Sequence, residues 1–269
     1  MAASQPLTLA EFFAQPRPLK LIVTDMDGTL TQRGKFTAAL LSGLERLQAA
    51  GWPVIIVTGR SAGWVSGLIH YLPIAGAMAE NGGVYFSAPS TAELLSPIPD
   101  LVHHRRQLGE VFAQIQHQWP DLQASQDNPW RQTDWTFDIG SRSPQDLKGL
   151  QVACQRLGWG FTYSTVQCHI YPLGQSKAAG VQKILPHHFP SLSATEVLTI
   201  GDSPNDESLF DPQVFPHSLG VANVLDYWER LAYRPAGVTA SPAVEGFLEI
   251  TERLLGHLPP APIAATPRD

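Results

Sequence analysis

The chain has 269 residues, 43% of them hydrophobic, and a formal net charge of −6, enough for one large globular domain or two modest ones. The acidic balance, with no Lys/Arg run, excludes a general basic field for nucleic acid or anionic lipid. No apolar run of about 18 residues suggests a membrane span, and no basic segment followed by a long apolar core suggests a secretory signal. We therefore expect a cytoplasmic protein with no nucleic-acid or membrane partner, acting as a monomer or weak homodimer. Its two cysteines, Cys154 and Cys168, cannot staple a chain of this length and read as reduced thiols.

Residues 20–24 form an apolar run, the pattern of a strand buried on both faces. It ends in Asp25-Met26-Asp27-Gly28-Thr29, two carboxylates one residue apart and then a glycine turn. Like charges that close repel and are costly to desolvate, so they call for a cation or a reaction. Thr37 is placed to cap a helix with Leu40, Leu41, Leu44 and Leu47 at helical spacing, which Gly51 stops. Residues 53–57 read as a second buried strand, ending at Thr58-Gly59-Arg60. A helical stretch through Val65, Leu68 and Ile69 follows, then a short third strand at 76–79 before Glu80-Asn81-Gly82-Gly83. That βαβαβ order favours a parallel sheet with right-handed crossovers.

The middle of the chain changes character. Pro89, Pro97 and Pro99 precede a helical segment through Leu108, Val111, Phe112 and Ile115. Residues 135–139 alternate like a strand, 147–157 look helical, and 161–171 hold one or two more strands. This predicts a separate α+β unit at 88–172. The alternating pattern then resumes. Ser176 caps a helix carrying Val181, Ile184 and Leu185 on one face; 197–200 is a strand ending at Gly201-Asp202; 219–222 is another short strand; 244–255 reads as a closing helix. A proline-rich tail at 258–262 is expected to fray. The architecture is α/β: a doubly wound core domain (1–87 and 173–269) interrupted by an inserted domain (88–172).

In an open parallel sheet, active sites lie beyond the carboxyl ends of the strands. Asp25, Asp27, Thr58 and Asp202 each fall at or just past such an end. These three aspartates, with Asp206 as a fourth, suit a hard cation such as Mg²⁺. Thr58 adds a hydroxyl, and the turn at Gly59 offers backbone N–H groups. Lys177, in the first turn of a predicted helix, opposes the helix dipole and so calls for an anionic partner. Together these groups make a phosphate cradle, and the reaction class is phosphoryl transfer. Within it, Asp25 attacks phosphorus to give an aspartyl-phosphate, while Asp27 protonates the leaving oxygen and then activates water. Gly28 must break the strand so that both side chains reach one phosphorus.

At this point four fragments resemble the four motifs of the haloacid dehalogenase-like hydrolases. Residues 25–29 match the DxDGT motif of its phosphatases. Thr58 matches the second-motif hydroxyl, Lys177 the third-motif lysine, and residues 201–206 the GDxxND motif. An insert between the second and third motifs resembles the large-cap (type IIB) branch. That branch includes sucrose-phosphate and mannosyl-3-phosphoglycerate phosphatases, Cof-like sugar phosphatases and eukaryotic-type phosphomannomutases. The resemblance implies a Rossmann-like core with an α/β cap. It implies Mg²⁺ on Asp25, the backbone carbonyl of Asp27, and Asp202, with Asp206 acting directly or through water. It also implies a phosphate held among Thr58, Gly59, Arg60, Asn81, Lys177 and Asn205. Residues 219–223, followed by Tyr227-Trp228, resemble the sucrose-phosphatase side of the branch. Pro204 departs from the small residue usual at its position and should stiffen the metal loop.

Each of these residues has a plainer reading. Asp206 also suits a helix N-terminal charge, Arg60 a surface or loop residue, and Asn81 a turn support. Trp130, Trp135, Arg131 and Arg142 of the insert suit sugar stacking or holding, but equally cap core and surface. His103-His104 and His187-His188 read as solvated residues, because neighbouring side chains on a helix do not face one another. We expect a Mg²⁺-dependent phosphatase of a small phosphorylated metabolite, a sugar phosphate or glycosyl phosphoglycerate, with the cap closing over it. The alternatives are a phosphosugar mutase and a non-catalytic phosphate-binding regulatory protein.

Overall fold

The computed structural model describes residues 6–87, 91–164 and 166–256; Pro89 and the proline-rich tail lie outside them. The chain enters through β1 (Leu7–Thr8) and α1 (Leu9–Phe13), which a Thr8–Glu11 capping box starts. The first apolar run is β2 (Leu21–Thr24). The Thr37 hydroxyl then accepts from the Leu40 amide to begin α2 (Ala38–Ala49). After β3 (Val54–Val57), the expected helix is split into α3 (Ala62–Val65) and α4 (Leu68–Tyr71), with the poor helix former Gly67 between them. The next strand is β4 (Gly76–Ala79).

The hairpin that follows corrects one boundary. β5 (Val84–Ser87) and β6 (Thr91–Leu94) pair antiparallel with each other, and β5 pairs antiparallel with β4. The insert was expected to begin at 88, but β6 is hydrogen-bonded into the core sheet. Its main chain covers an edge that β5 would otherwise leave bare. The insert's own elements start later, with α5 (Leu101–Gln118), β7 (Trp135–Asp138), α6 (Pro144–Arg156), β8 (Trp159–Tyr163) and β9 (Gln167–Pro172). These strands form an antiparallel sheet in the order β7-β9-β8. Leu108, Phe112 and Ile115 of α5 and Leu147 and Leu150 of α6 pack on its Phe137, Phe161 and Ile170. Cys154 and Cys168 are buried free thiols in this cluster.

The chain returns to the core with α7 (Lys177–His188), β10 (Val197–Gly201), β11 (Ser218–Gly220), β12 (Gly237–Val238) and α8 (Ala243–Leu255). The nine-stranded sheet runs β1-β12-β11-β10-β2-β3-β4-β5-β6, parallel from β1 through β4. Alternate residues of its central strands feed two separate clusters. Ile22, Val54 and Ile56 meet Leu40 and Leu44 of α2 and Phe247 and Ile250 of α8. Leu21, Val23, Ile55 and Val57 meet Val181, Ile184 and Leu185 of α7. Helices on both faces explain why β2, β3 and β4 are buried throughout rather than alternating. Among the described residues, no helix is long and apolar enough to cross a membrane.

Candidate active site

The carboxyl ends of β2 and β10 are adjacent because the two strands pair in parallel, and the Asp25 amide donates to the Ile200 carbonyl (2.8 Å). The chain then turns at Gly28, whose φ of +87° favours glycine and whose missing Cβ leaves room for the Asp202 carboxylate. Beyond β10, the amides of Asp202 and Ser203 donate to Asp206 Oδ2 (2.9 and 3.1 Å). This locks the fourth motif into a turn that leads into a 3-10 helix (Pro204–Phe210). Segments far apart in sequence thus bring together Asp25, Asp202 and Asp206. One oxygen from each lies within 4.8 Å of the others, and all three residues are buried.

Lys177 enters from the start of α7, where Ser176 caps the helix by accepting from the Ala179 amide (3.1 Å). Its Nζ donates to Asp25 Oδ1 and to Asp206 Oδ1, the latter at 2.6 Å. Burial alone would lower the ammonium pKa; the Asp206 and Asp25 carboxylates outweigh it and hold the group above its ordinary value. A single ammonium cannot neutralise three carboxylates. Burial, then the Asp206 charge, push the Asp25 carboxyl up to about 7 against the pull of Lys177. Burial and the Asp25 and Asp206 charges likewise raise that of Asp202. Asp202 Oδ2 accepts from Asn223 Nδ2 (2.7 Å). Among the described residues, Asp25 Oδ2 is buried with no hydrogen-bond partner. Excess negative charge, an unused oxygen and an all-oxygen donor set fit a hard divalent cation.

Asp27 is differently placed. Both of its oxygens are taken by Arg60, with Nε to Oδ2 at 2.9 Å and an Nη to Oδ1 at 2.7 Å. Arg60 is therefore neither a free surface residue nor an open phosphate ligand; it caps the second aspartate of the first motif. The two residues share a cavity of about 10 Å³ with Asp25, Thr58, Gly59, Asn205 and, from the insert, Gln167 and His169. The insert thus lies over Asp25 and Asp27. Thr58 Oγ1 accepts from the Arg60 amide (3.2 Å), and the Thr58 carbonyl accepts from the Asn81 amide (3.0 Å). Asn81 and the preceding Glu80 sit at φ of +51° and +54°, a strained pair of non-glycine residues of the kind that concentrates at functional sites. Asn205 Nδ2 donates to Asn81 Oδ1 (3.1 Å). Among the described residues, Asn81 Nδ2 is a buried donor without a partner.

The sequence did not disclose the polar junction behind this cavity. Glu80, fully buried, accepts from the amides of Ala62 (2.8 Å), Gln132 (3.0 Å) and Thr133 (2.6 Å) and from the Thr133 hydroxyl (2.8 Å). Arg131 is not open to a sugar: it is buried, and it bonds Asp134 (2.9 Å), Asp127 (2.7 Å) and the Gly59 carbonyl (3.0 Å). Asp134 Oδ2 in turn faces His169 Nδ1 at 2.9 Å. Trp135 stacks on Phe112 within the insert, and Arg142 bonds Asp121 (2.8 Å). His104 is buried, with Nε2 3.0 Å from the Thr133 carbonyl, and His188 pairs with Glu93 at 2.9 Å. Neither is merely solvated. Asn223, whose amide holds Asp202, enters the sequence reading only as part of a resemblance.

Residues 22–99 match the family model of a haloacid dehalogenase-like hydrolase. A phosphoglycolate phosphatase of Metallosphaera sedula is 30% identical over 197 residues, which cover 71% of this chain and 81% of the relative. One of Aeropyrum pernix is 27% identical over 88% of this chain and 94% of its own length. Among solved structures, a Thermoplasma acidophilum protein superposes with a TM-score of 0.68 at 24% identity, covering 87% of this chain and 99% of that one. The sucrose-phosphatase of Synechocystis gives 0.63 at 17% identity, over 88% and 98% of the two chains. The chain belongs to the haloacid dehalogenase-like hydrolases and is a phosphatase.

Proposed function

We propose that this protein is a cytoplasmic, Mg²⁺-dependent phosphatase that hydrolyses a small phosphorylated metabolite through an aspartyl-phosphate on Asp25. The observation that carries this is the meeting of Asp25, Asp202 and Asp206 around Lys177. Asp25, Asp202 and the backbone carbonyl of Asp27, with Asp206 acting directly or through water, would hold Mg²⁺, which would offset their charge and attract an anionic phosphoryl group. Asp25, ionised, attacks phosphorus; a bound cation would favour that ionised form. Lys177, Thr58, the Gly59 amide, Asn205 and the spare Nδ2 donor of Asn81 hold the phosphoryl oxygens. Asp27 protonates the leaving oxygen and then takes a proton from the attacking water. For this, Arg60 must release at least one Asp27 oxygen, which an incoming phosphate oxygen, as a competing acceptor, would favour. The cap closes over the site, excludes bulk water and reads the leaving group.

Two substrate classes have support. The large-cap resemblance favours a sugar phosphate or glycosyl phosphoglycerate; the curated relatives are named as phosphoglycolate phosphatases. Phosphate release from wild type and Asp25→Asn should be measured across sugar phosphates, glycosyl phosphoglycerates and 2-phosphoglycolate, with and without Mg²⁺. The proposal expects Mg²⁺-dependent release by wild type alone. Little release together with dependence on a sugar bisphosphate would favour a mutase. Binding of phosphate and Mg²⁺ without turnover would favour a regulatory protein.

A further inference from the structure

The small cavity at Asp25 and Asp27 shares lining residues with two larger clefts, and their chemistry differs. One, of about 590 Å³, meets the site on the side of Lys177, Asn81 and Asn205 and carries the cations Lys148 and Arg230. The other, of about 720 Å³, shares Arg60 and Gln167 with the reactive cavity. Arg60, which lines it, bonds both oxygens of Asp27, so the guanidinium stands between this cleft and the group that must reach the leaving oxygen. A leaving group projects toward its proton donor, so this second cleft is where it goes.

The cleft is walled by two indoles. Trp64 on α3 is 48% exposed and Trp130 in the insert is 62% exposed. A single exposed tryptophan needs no explanation, but two lining one cleft beside a reactive centre do. Trp130 is brought there by close packing: a Cβ on Gly63 would lie 2.8 Å from that of Trp130. Gln126, Gln167 and Asp127 also line the cleft, the last two held by Arg131 (3.0 and 2.7 Å). Flat apolar faces beside side-chain amides and carboxylates match a ring with C–H faces and equatorial hydroxyls. The charged groups lining the cleft are Asp127, Asp138 and Arg60, so acidic groups outnumber cations and disfavour a carboxylate leaving group.

Resting on the phosphatase reading above, we infer that the cleft between Trp64 and Trp130 is the leaving-group subsite, and that it takes a neutral polyhydroxylated ring in preference to a small carboxylate. Both tryptophans are exposed, so Trp64→Ala and Trp130→Ala should fold normally. The test compares wild type with these variants on a hexose monophosphate and on 2-phosphoglycolate. Calorimetric titration of the hexose monophosphate into Asp25→Asn, with and without Trp130→Ala, reads binding apart from turnover. For the hexose monophosphate, KM should rise about tenfold in Trp130→Ala with kcat little changed, equivalent to about 1.4 kcal/mol. Trp130→Phe should restore most of it, while kcat/KM for 2-phosphoglycolate stays within about twofold, under about 0.4 kcal/mol. Equal losses on both substrates, no loss on either, or binding heat unaffected by Trp130→Ala would overturn the subsite. Should no substrate be hydrolysed while Trp130→Ala still abolishes the binding heat, the phosphatase reading fails and the subsite stands.

Discussion

Lys177 Nζ lies 2.6 Å from Asp206 Oδ1 and also bonds Asp25, so a single buried ammonium bridges the first and fourth motifs. The Asp206 carboxylate completes the bridge by binding the amides of Asp202 and Ser203 through its other oxygen. Lys177→Met keeps most of the side-chain volume but leaves both aspartates without their cation. Removing one partner of a buried ion pair costs about 3–5 kcal/mol. Urea unfolding of the metal-free protein should show a loss of that order, partly recovered on adding Mg²⁺. An unchanged midpoint would mean that the bridge carries little stability.

Asp202→Ala removes the carboxylate that Asn223 holds in place (2.7 Å). It also relieves the charge repulsion that raises the Asp25 pKa. The metal-free variant should be no less stable than wild type, while Mg²⁺ raises its melting temperature far less. Activity should need much higher Mg²⁺. Equal Mg²⁺ stabilisation of the two proteins would remove Asp202 from the metal site.

Gly82 sits at φ +97°, and a Cβ there would collide with the Ser176 carbonyl, immediately before Lys177. Gly34 has φ +71° with nothing within 4 Å of the same point. Both alanine variants incur left-handed strain of about 1 kcal/mol. Only Gly82→Ala should also displace Lys177 and sharply reduce turnover. Steady-state assays of the two variants check this, and similar activities would contradict it.

Burial, reinforced by the Asp134 charge, raises the Glu80 pKa above its ordinary value of 4.5, despite the opposing Thr133 and Ala62 amides and Arg131. The folded state therefore binds this proton more tightly than the unfolded chain. The contribution is fully present below pH 4.5 and is lost as pH rises through the elevated folded value. The stability of wild type minus that of Glu80→Gln should accordingly fall with rising pH across this window. Chemical denaturation of both proteins at a series of pH values would show it; a difference that grows with pH would reverse the sign.

Much of the core was legible because its signals are local. Continuous apolar runs such as 20–24 belong to strands covered on both faces, and Thr37 and Ser176 cap their helices as their positions suggest. Asp25 and Asp202 were legible for the same reason, each following directly on a strand. What the sequence hid depends on tertiary pairing. β6 has no strong alternation, and only its register against β5 assigns it to the core. Arg60 reads equally as a substrate contact or a surface residue, because nothing nearby names Asp27 as its partner. Glu80 belongs to the core and Arg131 and Asp134 to the insert, and their junction exists only once the insert is seated. The two indoles at 64 and 130 converge by packing across the Gly63 contact, which no spacing rule encodes.

The central claim is that Asp25 becomes covalently phosphorylated during turnover. Wild type should be quenched in acid during steady-state hydrolysis with Mg²⁺, digested and mapped by mass spectrometry. A phosphoryl group should be found on the peptide containing Asp25, absent without Mg²⁺ and absent from Asp25→Asn, which should also release no phosphate. Sustained Mg²⁺-dependent hydrolysis by Asp25→Asn, or a phosphoryl group on another residue, would contradict the mechanism.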